Sequence, residues 1–344
     1  MIRRSGIPVA AALIAALALA GCGGGGEKKA ADGATKTPDA QATDGGTKFT
    51  QISPMTGLKV SGNLPNHPAM VVKIDNTYNS EPQVGLGSAD MVVEELVEGG
   101  ISRLATIFYS KLPPVVGPVR SARASDIGVI KPANAVLVAS GAARATSSRL
   151  HGAGVHFYTE GAAGMFRDNS RHAPYNLFMR LPRFVTALKD SARPSQSYLP
   201  WGTEKDFTGT SPATNVAVRF SGSTTTRFQY SRAKGKYVNV NSHASSSDRF
   251  LADSVLVLRV GETDAGYRDP AGNPVPEARF FGGGTALLFH HGQVVRGTWS
   301  KPSRTSVVTL KTAAGSLKIP AGHVWIELMP AAGPFNAAGA VTFH

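Results

Sequence analysis

Cys22 is the only cysteine among the 344 residues of the chain. No disulfide framework can therefore hold the fold together, and a zinc site built from several cysteine ligands is excluded. With 42% apolar and 8% aromatic residues, the composition is that of a globular protein. The chain must therefore depend on packing for its stability, and its one thiol is free for another use.

The residues in front of Cys22 indicate that use. The basic pair Arg3-Arg4 precedes an apolar run over residues 7–20, which ends in the tetrad Leu19-Ala20-Gly21-Cys22. This run is too short to cross a hydrocarbon core of about 30 Å as a helix. The pattern predicts a bacterial lipoprotein signal peptide over residues 1–21, cleaved before Cys22, whose thiol then carries a lipid such as palmitate. An ordinary secretory signal followed by a chance cysteine is the alternative.

Residues 22–50 follow as a segment rich in Gly, Lys and Thr that has no aromatic residue before Phe49. Such a segment has little to bury, so we expect a disordered tether. The sequence thus predicts a lipid-anchored protein on the extracytoplasmic face of the cell membrane, with the membrane as its first partner.

The charge distribution favours an anionic second partner. The formal charge of +13 falls to +11 without Arg3 and Arg4, and residues 103–193 contain 13 basic and four acidic side chains. Anionic wall polymers and peptidoglycan carboxylates would attract such a surface. Nucleic acid is excluded because it lies in another compartment. A basic surface without a specific partner is the alternative, and the oligomeric state stays open.

The hydrophobic pattern predicts an α+β protein with a mixed α/β domain over residues 51–200 and a mostly antiparallel β domain over residues 201–344. A Pro-, Ser- and Gly-containing break is expected near residues 194–209. Helices are expected from Ser121, over 140–150 and over 182–189. Strands are expected over 69–75, 135–139, 215–221, 227–241, 254–260, 285–299, 306–312 and 324–328.

Residues 89–109 show the clearest local pattern, two alternating β-branched runs around Gly99-Gly100. Two glycines between such runs predict a two-residue hairpin turn, because primed turns need positive φ. The prediction pairs Glu98 with Ile101 and Leu96 with Arg103. It places Glu94, Leu96, Glu98 and Arg103 on one face. A helix over residues 90–98 is the competing interpretation.

Arg120 and Arg123 flank Ser121 in the segment Gly117-Pro118-Val119-Arg120-Ser121-Ala122-Arg123. If Ser121 caps a helix, its backbone N–H groups and both guanidinium groups converge on one place that suits a phosphate or carboxylate. We expect an anion site here, edged by Asp75, Glu98 and Arg103. The alternative is internal pairing of the arginines with Glu94, Glu98 or Asp90, which would hold the hairpin to the loop.

Asp75 and Glu98 are candidate catalytic carboxylates for hydrolysis of a wall glycan. Glu94 and Glu98 on one strand would stand about 13 Å apart, which exceeds the separation that either glycosidase geometry needs. His151, His156, Glu160 and His172 match no metal-ligand spacing, so no metal and no cofactor is expected. His290-His291 is interpreted as part of a hairpin.

Seven stretches of the chain form a recognisable set. They are Val72-Lys73-Ile74-Asp75-Asn76, Pro82-Gln83-Val84-Gly85-Leu86, Glu98-Gly99-Gly100-Ile101-Ser102-Arg103, the Gly117–Arg123 segment, Ala173-Pro174-Tyr175-Asn176, Gly297-Thr298-Trp299-Ser300-Lys301 and Gly322-His323-Val324-Trp325-Ile326-Glu327. Together they resemble the YerB-like lipoprotein family, whose members have N- and C-terminal domains of unknown function. The resemblance covers residues 54–328 and implies a two-part extracytoplasmic lipoprotein without implying an activity.

The expected function is therefore a binding or accessory module for an anionic cell-envelope ligand. A hydrolase of wall glycan or peptide and a scaffold for an envelope protein complex are the alternatives.

Overall fold

The computed structural model describes residues 50–189 and 192–344. The predicted signal peptide, Cys22 and the tether up to residue 49 lie outside the described residues. Strands account for 42% of the residues and helices for 12%, so the fold is broadly α+β with strands in the majority. No helix within the two described ranges is both long and apolar enough to cross a bilayer.

Residues 50–189 contain nine strands and three α-helices. They are β1 (Thr50–Ile52), β2 (Lys59–Ser61), β3 (Met70–Asp75), β4 (Met91–Leu96), β5 (Ser102–Phe108), α1 (Asp126–Ile130), β6 (Val136–Val138), α2 (Arg144–Gly152), β7 (Phe157–Tyr158), β8 (Met165–Arg167), β9 (Leu177–Met179) and α3 (Leu181–Ala187).

Residues 192–344 contain fifteen strands and no α-helix. They are β10 (Trp201–Gly202), β11 (Ser211–Pro212), β12 (Asn215–Arg219), β13 (Thr225–Ser231), β14 (Lys236–Asn239), β15 (Leu251–Ala252), β16 (Ser254–Arg268), β17 (Pro274–Arg279), β18 (Gly282–His290), β19 (Gln293–Lys301), β20 (Thr309–Thr312), β21 (Gly315–Leu317), β22 (Ile319–Pro320), β23 (Val324–Pro330) and β24 (Ala340–Phe343). Each range in which a strand was expected in this half contains a strand, but the ranges 227–241 and 285–299 each include parts of two strands joined by a turn.

Thirteen strands form one mixed sheet in the order β21-β20-β19-β18-β16-β23-β4-β5-β3-β6-β7, with β11 added to β19 and β17 to β16. β23 runs parallel to both of its neighbours, β16 and β4. Since β4 lies in residues 51–200 and the other two lie in residues 201–344, β23 joins both halves of the chain in this sheet. A second sheet has the order β15-β14-β13-β12-β24.

Both faces of the large sheet are covered, and alternate residues of each central strand enter different cores. On β3, Val71 joins a core with Ile127 and Leu150 from the helices, whereas Val72 joins a core with Val216 from the second sheet. Every residue of β3, β4, β5 and β23 is buried. Near-continuous apolar runs are expected of strands that are covered on both sides.

The hairpin over residues 89–109 is present, so the helix interpretation of residues 90–98 is wrong, but the predicted register is also wrong. Both glycines have positive φ, as a primed turn requires, yet the loop is longer than two residues. The Val97 N–H bonds to the Ile101 carbonyl, and Glu98 begins a 3₁₀ turn. Arg103 therefore pairs with Glu95, and Glu94 pairs with Leu104.

A one-residue slip moves every side chain of a strand to the opposite face. The predicted grouping of Glu94, Leu96 and Arg103 on one face is therefore wrong as well. Glu95 and Arg103 share one face of the hairpin, and Glu94 lies on the other face with Leu104.

The helix predicted from Ser121 is also wrong, because α1 begins only at Asp126. The chain before it is extended along the end of β3. The Asp75 N–H bonds to the Pro118 carbonyl, the Arg120 N–H bonds to the Lys73 carbonyl, and the Arg120 carbonyl accepts the N–H of Ser140. These hydrogen bonds use backbone groups that a helix starting at Ser121 would need for its own hydrogen bonds.

A buried charged triad fixes α1 on the sheet. Lys73 on β3 donates to Glu95 on β4 at 2.6 Å and to Asp126 of α1 at 2.8 Å, and none of the three residues is exposed. Burial alone would lower the pKa of Lys73, but Asp126 and Glu95 together raise it. For Asp126 the effect of burial is the opposite, since it raises the pKa of this carboxyl to about 6. The two carboxylates thus keep the buried Lys73 positively charged.

Replacing Lys73 with methionine leaves two buried carboxylates without their cation. We expect Lys73→Met to lower the free energy of unfolding by about 3–5 kcal/mol, because breaking a buried pair leaves uncompensated charge. Urea denaturation followed by tryptophan fluorescence measures the change. Adding Glu95→Gln and Asp126→Asn restores much of the loss.

The matched control is Lys111→Met, at an exposed lysine, which is expected to change stability by less than about 0.5 kcal/mol. Equal stability of Lys73→Met and Lys111→Met would contradict the role of the triad.

Candidate functional site

The structure brings together the six residues that the sequence marked as a site. Five of them form an arginine network, defined as Arg103, Arg120, Arg123, Asp75 and Glu98. Ser121 adjoins the network, since its carbonyl accepts a hydrogen bond from Arg103 Nη1 at 3.3 Å. The network connects the end of β3, the β4–β5 loop, β5 and the segment that leads into α1.

Glu98 is the centre of the network. It accepts hydrogen bonds from Arg103 Nη2 at 3.0 Å and from Arg123 Nε at 2.9 Å, and Arg123 Nη2 donates to it as well. Burial favours the neutral form of Glu98, but the charges of Arg103 and Arg123 outweigh burial and lower its pKa. Glu98 is therefore ionised at neutral pH and ties the hairpin loop to the arginine segment.

The two other ion-paired members lie at the end of β3. Arg120 Nε donates to Asp75 Oδ2 at 3.0 Å, and Asp75 Oδ1 also accepts from the backbone and the hydroxyl of Thr77. Burial lowers the pKa of Arg103 to about 10, and the neighbouring charge of Arg123 acts in the same direction. The internal pairing that the sequence left open as an alternative is thus present for Arg123 and Glu98.

A cleft of about 440 Å³ lies beside this network, between the start of α2 and the β16–β17 hairpin. We call it the α2 cleft; its lining is Ser121, Arg123, Ala142, Ala143, Tyr267, Arg268, Asp269 and Pro270. The Tyr267 hydroxyl lies 2.9 Å from Thr146 Oγ1, which connects the hairpin to the helix.

The N-terminus of α2 in this cleft lacks a side-chain cap. Ala143 stands at the N-cap position, and the first turn contains no acidic residue. Free backbone N–H groups at the start of a helix carry partial positive charge. Arg144, the first helical residue, adds charge of the same sign.

A second group of buried polar residues lies on the opposite face of the hairpin. Glu94 on β4 and Glu327 on β23 are register partners on parallel strands, and neither is exposed. Glu94 accepts hydrogen bonds from Ser102, Asn76 and Thr226. Burial, and next the charge of Glu94, raises the pKa of Glu327 well above its ordinary value. Glu327 therefore holds a proton beside its neighbour.

Asn76 and Thr226, which donate hydrogen bonds to Glu94, also line a polar pocket of about 240 Å³. The exposed ring of Tyr78 stands at its rim, and the remaining lining is Thr77, Ile101, Ser223, Thr224, Thr225, Asn239, Asn241 and His243.

Two family models match this chain. Residues 55–195 match the protein of unknown function (DUF3048) N-terminal domain, and residues 216–326 match the DUF3048 C-terminal domain. The chain belongs to the DUF3048 family. The family resemblance noted in the sequence is thereby confirmed.

The DUF3048 chain is 26% identical over 291 residues to "Putative lipoprotein YerB" of Bacillus subtilis (strain 168), which covers 81% of this chain and 86% of that protein. Its fold is also similar to the crystal structure of the YerB protein from Bacillus subtilis. That match has a TM-score of 0.70 at 21% identity and covers 85% of this chain and 99% of the solved chain.

Two features of this DUF3048 protein were missed in the sequence. No sequence pattern identified Arg268 as a site residue, because a single arginine near a hairpin turn is common on protein surfaces. Glu327 was passed over because Glu94 and Glu327 become neighbours only when β23 pairs with β4. Trp299 and Trp325 each pack in one of the two cores.

The raised pKa of Glu327 makes stability depend on pH. The folded state retains a proton that an unfolded Glu releases above its ordinary pKa, so this contribution is complete below that pKa and declines as pH rises. Glutamine imitates the protonated form. We expect Glu327→Gln to be more stable than the parent DUF3048 chain at pH 8 by at least about 1.4 kcal/mol, the equivalent of one pKa unit.

Urea denaturation between pH 4 and pH 8 measures this difference, which is expected to shrink towards pH 4. Asp264→Asn, at an exposed aspartate, serves as the control and leaves the pH profile unchanged. A Glu327→Gln protein that is less stable than the parent at pH 8 would refute the protonated state.

Proposed function

We propose that this chain is a lipid-anchored lipoprotein on the extracytoplasmic face of the cell membrane whose folded part binds an anionic cell-envelope ligand in the α2 cleft. The anchor part of the proposal is supported by the tetrad that ends in Cys22 and by the name of the Bacillus subtilis relative. A two-part arrangement, residues 51–200 and 201–344, belongs to the same proposal.

The observation that carries the ligand is the positive charge in the α2 cleft. The uncapped α2 N-terminus, Arg123 and Arg268 contribute to one cavity. Its volume is within the range of small-ligand sites, about 300–1,000 Å³. Helix N-termini and guanidinium groups both favour phosphate and carboxylate groups. Arg144 in the first turn is unfavourable without an anion, because its charge adds to the positive helix end.

Arg123 and Arg268 have different roles in this proposal. Arg123 already binds Glu98 through two nitrogens and donates Nη1 to the Ala122 carbonyl at 2.7 Å, so it supplies a fixed positive potential. Arg268 is exposed and donates Nη1 to the Gly272 carbonyl at 2.8 Å. The edge of the guanidinium that carries Nη2 is the one that can form a bidentate hydrogen bond with an anion. Ser121 adds a hydroxyl donor.

The anchor has its own test. Cys22→Ser is expected to abolish incorporation of labelled palmitate and to move the protein from the membrane fraction to the soluble fraction. Each buried methylene of an acyl chain contributes about 0.8 kcal/mol to membrane binding, so loss of the lipid removes most of the affinity. Continued labelling of the Cys22→Ser chain would contradict the anchor, since no other cysteine is present.

The cleft is tested with residues 45–344 and purified cell wall. Arg268→Glu is expected to weaken co-sedimentation about tenfold, because a charge-assisted hydrogen bond contributes about 1.5–3 kcal/mol. Added salt is expected to release the parent protein as well. Arg183→Glu, the same charge change at an exposed arginine of α3, is the control and leaves binding near the parent level.

The outcomes separate the proposal from its alternatives. Equal losses for Arg268→Glu and Arg183→Glu would reduce the interaction to general surface charge. Release of soluble wall fragments would favour the hydrolase alternative and direct attention to Asp75 and Glu98. If the protein does not bind the wall and releases no fragments, the scaffold alternative is favoured.

A further inference from the structure

A group of three side chains outside the α2 cleft has the composition of a metal centre. His290 and His291 lie at the turn between β18 and β19, and Glu204 lies in a 3₁₀ turn after β10. One ligand atom from each residue lies within 4.8 Å of the other two. No residue of this group belongs to the arginine network or to the α2 cleft.

Both histidines contact the same carboxylate oxygen. Nε2 of His290 lies 2.8 Å from Glu204 Oε2, and Nδ1 of His291 lies 3.5 Å from it. In a tetrahedral site with metal–ligand bonds of about 2.0–2.1 Å, neighbouring ligand atoms stand about 3.3 Å apart. The observed distances lie on either side of that value. The two imidazole rings stack with centroids 4.1 Å apart.

The other ring nitrogen of His290, Nδ1, has its own hydrogen-bond partner. Nδ1 lies 2.9 Å from the Asp253 carbonyl oxygen, and this oxygen can only accept a hydrogen bond. Nε2, on the other side of the ring, faces the Glu204 carboxylate at 2.8 Å. Metal-ligating histidines characteristically donate their second nitrogen to a carbonyl or carboxylate in this way.

The backbone at the turn supports the same interpretation. His291 has φ 48° and is followed by Gly292 with φ 73°. Asn or Gly is usual at the first of these two turn positions, and a positive φ is uncommon for residues other than glycine. The conformation directs His291 towards Glu204 instead of continuing the strand.

The Glu204 segment is fixed independently. Thr203 and Asp206 form a capping box around its 3₁₀ turn, and Trp201 on β10 pairs with Ile319 on β22. Phe207 packs edge-on against the ring of His290, with centroids 5.1 Å apart. Both sides of the group are therefore positioned before an ion arrives, while Glu204 and His291 remain exposed to solvent.

The geometry points to a zinc site formed by His290 Nε2, His291 Nδ1 and Glu204 Oε2, with water as the fourth ligand. Two imidazoles and one carboxylate suit Zn²⁺ and other borderline divalent ions, and three protein ligands leave one position open. Single pairs elsewhere, such as His243 with Glu81 at 2.8 Å, lack the second imidazole. The site would fix the Glu204 segment to the β18–β19 turn.

Cobalt titration tests the proposal, because tetrahedral Co²⁺ gives visible d–d absorption bands. The full chain carrying Cys22→Ser removes the one competing thiol. We expect one equivalent of Co²⁺ to give these bands and Zn²⁺ to displace it. His291→Ala and Glu204→Gln change exposed side chains, so the variants are expected to fold. Each should weaken binding at least about 100-fold, because even supporting residues around a metal contribute about 10–100-fold.

His243→Ala is the matched control, since His243 also contacts a glutamate, and it should bind Co²⁺ with unchanged affinity. A rise in melting temperature with Zn²⁺ in the parent and in His243→Ala, absent from the two other variants, gives a second readout. Absence of the d–d bands would overturn the proposal. So would parent-like affinity in His291→Ala and Glu204→Gln.

Discussion

The pairing of β23 between β16 and β4 is the constraint on which the rest of the structure depends. β23 is parallel to both neighbours, and all seven of its residues are buried. A parallel pair cannot be closed by a short turn and needs a long connection. Here β4 and β23 come from opposite ends of the folded chain, so the sheet is complete only when both halves are in place.

This arrangement explains why so many charged side chains are buried on four adjacent strands, β23, β4, β5 and β3. Glu94 and Glu95 are consecutive on β4 and therefore face opposite sides of the sheet. Glu95 contacts Lys73, while Glu94 accepts hydrogen bonds and lies beside Glu327. Each side resolves the cost of burial differently. On one side Glu95 is paired with the positive charge of Lys73, and on the other side Glu327 retains a proton.

Local patterns predicted the strands and turns well because alternation and glycine pairs are local properties. They predicted the hairpin around Gly99-Gly100 but not its register. A two-residue turn and the observed longer loop both use two positive-φ glycines, and only the distant partners of Glu98 distinguish them. The helix from Ser121 was wrong for a similar reason, since contacts with β3 hold that segment extended.

The grouping of candidate site residues follows the same division. Arg120, Ser121 and Arg123 are close in sequence, and the hairpin beside them supplies Arg103 and Glu98, so local reasoning found the network. The remaining participants come from distant parts of the chain. Arg268, Glu327 and Glu204 each meet their neighbours only through tertiary pairing, and a single sequence contains no signal for such meetings.

The balance of charge in the arginine network connects its structural role with the binding role that we propose. Three guanidinium groups share two carboxylates, Asp75 and Glu98, which leaves one positive charge without a partner inside the network. Asp269 also lines the α2 cleft, where its carboxylate accepts hydrogen bonds from Asn273. Glu98 fixes Arg123 at the edge of that cleft, so the entropy cost of ordering this side chain is met during folding. An anion that enters the cleft then meets a preorganised charge.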